Sequence, residues 1–268
     1  MKPAPLERLN SLLILALSSL SVWVLAIVLS FFLRPVHQLL LQLPAKDLDP
    51  LNLFLSFLVA LIVLVLFREK QFFGWLIALS LALIIWSGAG LFLPLELAFV
   101  LAAGLFLLER YRHSFLTNNL FLLVALLMGS LTVGLRFPVN LLIYVLIFLS
   151  VYDVIGVFLT HFIPRIARQA VETNLPLLLL APTKKTGWLS HPHLKNSAAI
   201  LGAGDIFMPA IFISAVTLNH NLLIAVNVFL GATLGILLNT LLALRIRTGI
   251  PAMPLLALCM IAVFLFTR

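Results

Sequence analysis

The sequence predicts an all-α membrane protein with nine transmembrane helices, its N-terminus in the cytoplasm and its C-terminus outside. Three observations predict it. Of 268 residues, 63% are apolar and 10% charged, against roughly 45–50% and about 25% in a soluble domain. Long uncharged runs recur along the whole chain. The basic residues between those runs are dense on alternate connections, as the positive-inside rule requires. The net charge of +8 is therefore read as an orientation signal, because its cations are scattered rather than gathered into one nucleic-acid-binding face.

The first apolar run, Leu9 to Leu33, is too long for the core of a cleaved signal peptide and is expected to remain as a spanning helix. The uncharged runs, divided as below, predict helices over 10–33, 51–67, 72–87, 91–108, 115–134, 138–160, 197–217, 221–243 and 251–266. Two divisions follow from length. The stretch 71–108 as one helix would reach ~57 Å, nearly twice the ~30 Å hydrocarbon core. It is expected to turn at Ser87-Gly88-Ala89-Gly90, and the equally long stretch 206–244 at Asn219-His220-Asn221. This arrangement puts 13 of the 17 Lys and Arg residues inside, leaving Arg34, Lys46, Arg136 and Arg268 outside.

Three regions result: residues 1–160 with helices one to six, a cytoplasmic connection over 161–196, and residues 197–268 with helices seven to nine. A connection that long is functional or disordered as a rule. Its apolar centre, Leu175 to Leu180 with Pro176 inside, is too short to span. It is either an interfacial segment packed on the bundle or a strand that receives substrate. Cys259 lies alone in an apolar run and reads as a small core residue.

Glu96, Asp153 and Asp205 are the acids within predicted spans, where an ionisable group costs at least ~2.5 kcal/mol and is a functional candidate by default. Glu96 falls near the outer end of its helix and is expected to reach the interface. Asp153 lies ~8 Å from the inner surface on helix six, and Asp205 ~13 Å in on helix seven. Antiparallel neighbours thus carry two carboxylates at similar depth in the cytoplasmic half. Two such groups in a low-dielectric site share one proton, which suits hydrolysis by general acid-base catalysis: one takes a proton from water while the other polarises the carbonyl. Gly156 and Gly202-Ala203-Gly204 offer small faces for close approach. Pro209 lacks an N–H and frees the carbonyl of Asp205. Paired intramembrane acids also build proton or cation pathways, so a channel or transporter is the alternative.

Tyr152-Asp153, Gly202-Ala203-Gly204-Asp205 and Pro251-Ala252-Met253-Pro254, on the sixth, seventh and ninth predicted helices, resemble the presenilin and signal peptide peptidase family of intramembrane aspartyl proteases. Gly204-Asp205-Ile206-Phe207-Met208-Pro209 is closer to its signal peptide peptidase and archaeal branch. The resemblance implies that Asp153 and Asp205 are catalytic. It implies substrate contacts from Tyr152, Gly202, Ala203, Gly204, Pro251, Ala252 and Met253, transmembrane peptides or proteins as substrates, and no metal or other cofactor. Ala203 stands where a larger residue is usual, and Met253 where the family has leucine; the second swap roughly conserves volume. Pro251 and Pro254 leave early-helix groups available to an unwound substrate strand. Lacking the long insertions of large eukaryotic relatives, the chain is expected to be a compact prokaryotic enzyme of the cell membrane, acting without obligatory subunits. A prepilin-type peptidase would carry a lysine shortly after its aspartate, where Phe207 and Met208 stand. The sequence has no HExxH, GxSG or EExxxR pattern. His191 and His193 read as loop residues, and Trp23, Trp75, Trp86 and Trp188 as anchors or packing.

Overall fold

Apolar helices dominate the structure, a computed structural model that describes residues 5–42, 70–183, 185–193, 196–245 and 250–268. The predicted helix 51–67 lies outside the described residues. In chain order the elements are α1 (Pro5–Gln42), α2 (Lys70–Ala89), α3 (Leu95–Tyr111), α4 (Phe115–Gly134), α5 (Val139–Val154) continuing into a π-helical turn (Ile155–Leu159), α6 (Phe162–Glu172), β1 (Leu178–Pro182), a short 3-10 turn (Lys185–Leu189), β2 (Ser197–Gly202), α7 (Gly204–Asn219), α8 (Leu222–Arg245) and α9 (Met253–Thr267).

Among the described residues, Leu9–Leu39, Phe115–Gly134, Val139–Leu159 and Leu222–Arg245 are helical stretches long and apolar enough to cross a membrane. Gly74–Ala89, Gly204–Asn219 and Met253–Thr267 are shorter apolar helices. Their outward faces carry large exposed side chains such as Leu17, Phe32, Phe148, Leu223 and Phe266, a surface that only lipid solvates well. The protein is an integral membrane protein. Both length-based divisions fall close to the expected points. The chain turns between Ala89 and Leu95, just past the predicted glycine pair, and between Asn219 and Leu222.

The expected seventh helix is corrected at its start. Residues 197–202 are strand rather than helix, and α7 begins at Gly204. Asp205 therefore sits in the first turn of its helix, not nine residues along it. The connection 161–196 is also structured, with α6 and β1 inside it. β1 and β2 pair antiparallel from Leu178↔Gly202 to Pro182↔Ser197, with an irregularity between Ala181 and Pro182. Ala203 N–H then donates to Leu177 O at 3.1 Å, carrying the ladder to the threshold of α7.

α7 occupies the centre, packed against α1, α4, α5, α8 and α9, and every residue from Pro209 to Leu218 is buried. Small residues allow this density. A Cβ on Gly134 would stand 2.7 Å from Ser214 Cβ, joining α4 to α7, and one on Gly235 would stand 2.9 Å from Leu256 Cα, joining α8 to α9. Pro209 removes one helical donor near the start of α7. Close by, the fully buried Trp23 indole of α1 donates to Ile206 O at 3.1 Å. Trp23 is thus a hydrogen-bonding strut, a role beyond the packing expected of it.

The small sheet is held from α4. A Ser114–Thr117 capping box starts that helix, and one turn on, two buried asparagines face β1. Asn118 Nδ2 donates to Leu178 O at 3.0 Å. Asn119 both donates to Leu180 O at 2.8 Å and accepts from Leu180 N–H at 3.0 Å, so its side chain imitates a neighbouring strand. With β1 closed on that side and paired to β2 on the other, the outer edge of β2 has no partner strand among the described residues. Asn119→Leu leaves the Leu180 N–H and C=O unpaired, at about 1–3 kcal/mol for each buried group. The expected outcome is faster hydrogen exchange over 178–182 with helical content retained, read by exchange mass spectrometry and circular dichroism.

Candidate active site

Asp153 is the second-last residue of α5 and Asp205 the second residue of α7, so two chain-adjacent spans meet with their acids at the same end. Both line one cavity of about 620 Å³, within the ~300–1,000 Å³ typical of ligand sites. Asp153 is buried and Asp205 partly so. After Asp153 the helix widens into its π turn, closed by Thr160 N–H donating to Ile155 O at 3.0 Å; such turns are frequent at functional sites. Gly156 makes room there, since a Cβ would collide with Ile163 Cδ1 of α6.

The third expected motif enters through its backbone. Pro251 lies just before α9 and Pro254 in its first turn, where a missing N–H is tolerated, and α9 starts at Met253 with a donor that has no helical partner. That N–H donates to Asp153 Oδ2 at 3.1 Å, and the positive end of the helix faces the carboxylate. Since a backbone group makes this bond, methionine in place of leucine leaves it intact. Ser150, one turn before Asp153, donates to Leu146 O at 2.7 Å and stands 3.4 Å from Met253 O.

Of the other expected contact residues, Tyr152, Gly202, Gly204, Ala252 and Met253 line the cavity. Ala203 and Pro251 are not among its lining residues. Ala203 is instead the last rung of the ladder and the N-cap of α7, accepting from Phe207 N–H at 2.9 Å. The two motif glycines differ. A Cβ on Gly202 would lie 3.2 Å from Asp205 Oδ2, whereas one on Gly204 would meet nothing within 4 Å. Sequence reasoning missed Ser197 to Leu201 of β2 as a cavity wall, along with Asn239 and Thr240 of α8. Asparagine inside an apolar helix was a usable signal, because polar groups are expensive there.

Glu96 is exposed in the first turn of α3, away from the cavity. A further acid, Glu109, is fully buried near the end of that helix. Its carboxylate meets His113 Nδ1 at 2.7 Å and lies 2.9 Å from Arg110 Nε, without hydrogen-bond alignment to the latter. The His113 ring lies 4.9 Å from that of His191, which stacks on His193 at the same distance. Burial pushes the His191 imidazole below its ordinary range; the Pro192 carbonyl opposes this, and His113 and His193 add to it. A lowered folded-state value means stability that is complete above the ordinary pKa and is lost as pH falls through the lowered one. Residues 185–193 are therefore expected to exchange amide hydrogens faster in acid than near neutrality, measured peptide by peptide at matched intrinsic rates.

The family described as signal-peptide peptidase, presenilin aspartyl protease matches residues 49–268. The chain belongs to the signal-peptide peptidase and presenilin aspartyl protease family. Two solved structures, described as a presenilin family intramembrane aspartate protease in C222 and in P2 space groups, share the fold at 18% identity, with TM-scores of 0.60 and 0.54. The first match covers 95% of this chain and 96% of that one, the second 94% of each. No curated protein matches. Membership makes the protein an intramembrane aspartyl protease. Within this enzyme Gly202→Ala is expected to lower cleavage of a membrane-anchored peptide far more than Gly204→Ala, because its methyl presses on the Asp205 carboxylate. Thermal midpoints in detergent should separate that effect from unfolding.

Proposed function

We propose that Asp153 and Asp205 are the catalytic pair of an endopeptidase that hydrolyses peptide bonds within transmembrane segments. The observation that carries this reading is the shared cavity, lined by both carboxylates and walled by β2. One ionised aspartate takes a proton from water as it attacks the peptide carbonyl, and the protonated partner donates a hydrogen bond to the carbonyl oxygen. Reversal of the two roles then delivers a proton to the leaving amine. No covalent intermediate is needed. Met253 N–H fixes the orientation of one carboxylate before substrate arrives, which removes part of the ordering cost from the chemical step.

A helical substrate hides its carbonyls in its own hydrogen bonds, so it must unwind before attack. The outer edge of β2 offers the replacement bonds: an extended segment added there would lie along the cavity wall that leads to Asp205. Tyr152, Gly202, Gly204, Ala252 and Met253 border the same space. In the nine-span arrangement with the N-terminus inside, this site lies in the cytoplasmic half of the cell membrane, and the chain acts without obligatory subunits.

Purified protein in detergent or liposomes is expected to cleave a membrane-anchored peptide. Asp153→Asn and Asp205→Asn should each abolish measurable turnover, a loss of at least about 10³-fold, while leaving thermal midpoints within a few degrees. Cleavage that survives either substitution overturns the assignment of the pair.

A further inference from the structure

Asn239 of α8 makes a connection that its neighbours do not. Serines, threonines and asparagines in the spans of this protein mostly bond back to their own helix: Thr217 to Ile213 O, Asn219 to Ala215 O, Thr233 to Phe229 O and Thr240 to Ile236 O. That local closure is the cheap way to carry a polar side chain in lipid. Asn239 instead reaches across to the next span, where its Nδ2 donates to Ala252 O at 2.7 Å. A carbonyl only accepts, so the atom facing Ala252 must be the amide nitrogen, and the side-chain oxygen points elsewhere. That oxygen is buried and has no hydrogen-bond partner among the described residues, and only 8% of the residue is exposed.

The carbonyl it holds belongs to the residue just before Met253, whose N–H donates to Asp153. Resting on the reading of Asp153 as catalytic, we infer that Asn239 is a positioning residue: it fixes the Ala252–Met253 peptide so that Met253 N–H is aimed at the Asp153 carboxylate. The chain of contacts is short and continuous, from α8 through one peptide group of α9 to α5. Ala252 O also accepts from Leu256 N–H at 3.3 Å, so the helix alone supplies only a long bond at this point, and the asparagine supplies the short one. Gly235, one turn earlier on α8, permits the close approach to α9 on which the contact depends.

The test uses Asn239→Leu, which matches the side chain in size and removes the amide, and Asn239→Ala, which removes the amide without adding bulk. Steady-state cleavage of a membrane-anchored peptide is expected to show kcat reduced roughly 10- to 100-fold in both, with KM within about twofold, since the reacting geometry is disturbed and not the binding. Hydrogen exchange over 250–256 in the full-length protein is expected to accelerate in both variants as Met253 N–H loses its fixed acceptor. Unchanged kcat with unchanged exchange overturns the inference, and so does a rise in KM at constant kcat, which would make Asn239 a substrate contact instead. If Asn239→Leu fails to fold, Asn239→Ala decides. Failure of the unaltered protein to cleave at all would sink the protease reading, and the exchange measurement would still settle whether Asn239 orders this segment.

Discussion

The bond from Met253 N–H to the Asp153 carboxylate joins the two ends of the problem this fold has to solve. A carboxylate inside the bilayer needs donors, and helices satisfy their backbone donors internally except in the first turn. Starting α9 beside the end of α5 supplies such a donor without placing a cation in lipid. The prolines at 251 and 254 flank that start, the first just outside the helix and the second in its first turn, where neither removes a helical hydrogen bond. The same logic operates at the start of α7. There a strand stops at Gly202 and a helix begins at Gly204, and the backbone of Ala203 between them is paired on both sides, its N–H to Leu177 and its carbonyl to Phe207.

Central placement of α7 follows from that junction. A helix that loses a backbone donor at Pro209 and is preceded by strand cannot face hydrocarbon on its open side, so it is surrounded. Trp23 from α1 satisfies a carbonyl in its first turn, Ala203 ties it to the sheet, and Gly134 lets α4 press against its middle. The apolar exterior is left to α1, α2, α3, α5, α8 and α9. Polar bonds that matter thus cluster at one end of the bundle, where Asn118 and Asn119 also hold β1.

Much of this was legible in residues. Charge-free runs and the thickness of a bilayer locate most helices among the described residues to within a few positions, and both turns forced by excess length occur near the small or polar residues expected to make them. The acids at 153 and 205 announce themselves by cost. The strand over 197–202 does not. Ser-Ala-Ala-Ile-Leu-Gly runs without a break in hydropathy into α7, and a short apolar run carries no periodicity that separates strand from helix. Pairing with Leu178–Pro182, remote in sequence, decides its form. That pairing moves Asp205 from mid-helix to helix start. It also turns the long connection from a loop into the wall of the site.

The polar residues that escaped notice share a reason. Acids are conspicuous in an apolar sequence, whereas an asparagine reads as a tolerable helix residue whose partner is unknown. In Asn118, Asn119 and Asn239 the partner is a main-chain group on another element, 60, 61 and 13 residues away. An amide carries both donor and acceptor without charge, so it can bind backbone in lipid at far lower cost than an acid or a lysine. A membrane enzyme that must hold strand-like backbone next to its chemistry therefore has use for side-chain amides, and their presence within otherwise apolar spans is a sequence signal worth weighing beside the acids. The three asparagines lie on the spans that contact the sheet or the start of α9, which is where non-helical backbone has to be kept in place.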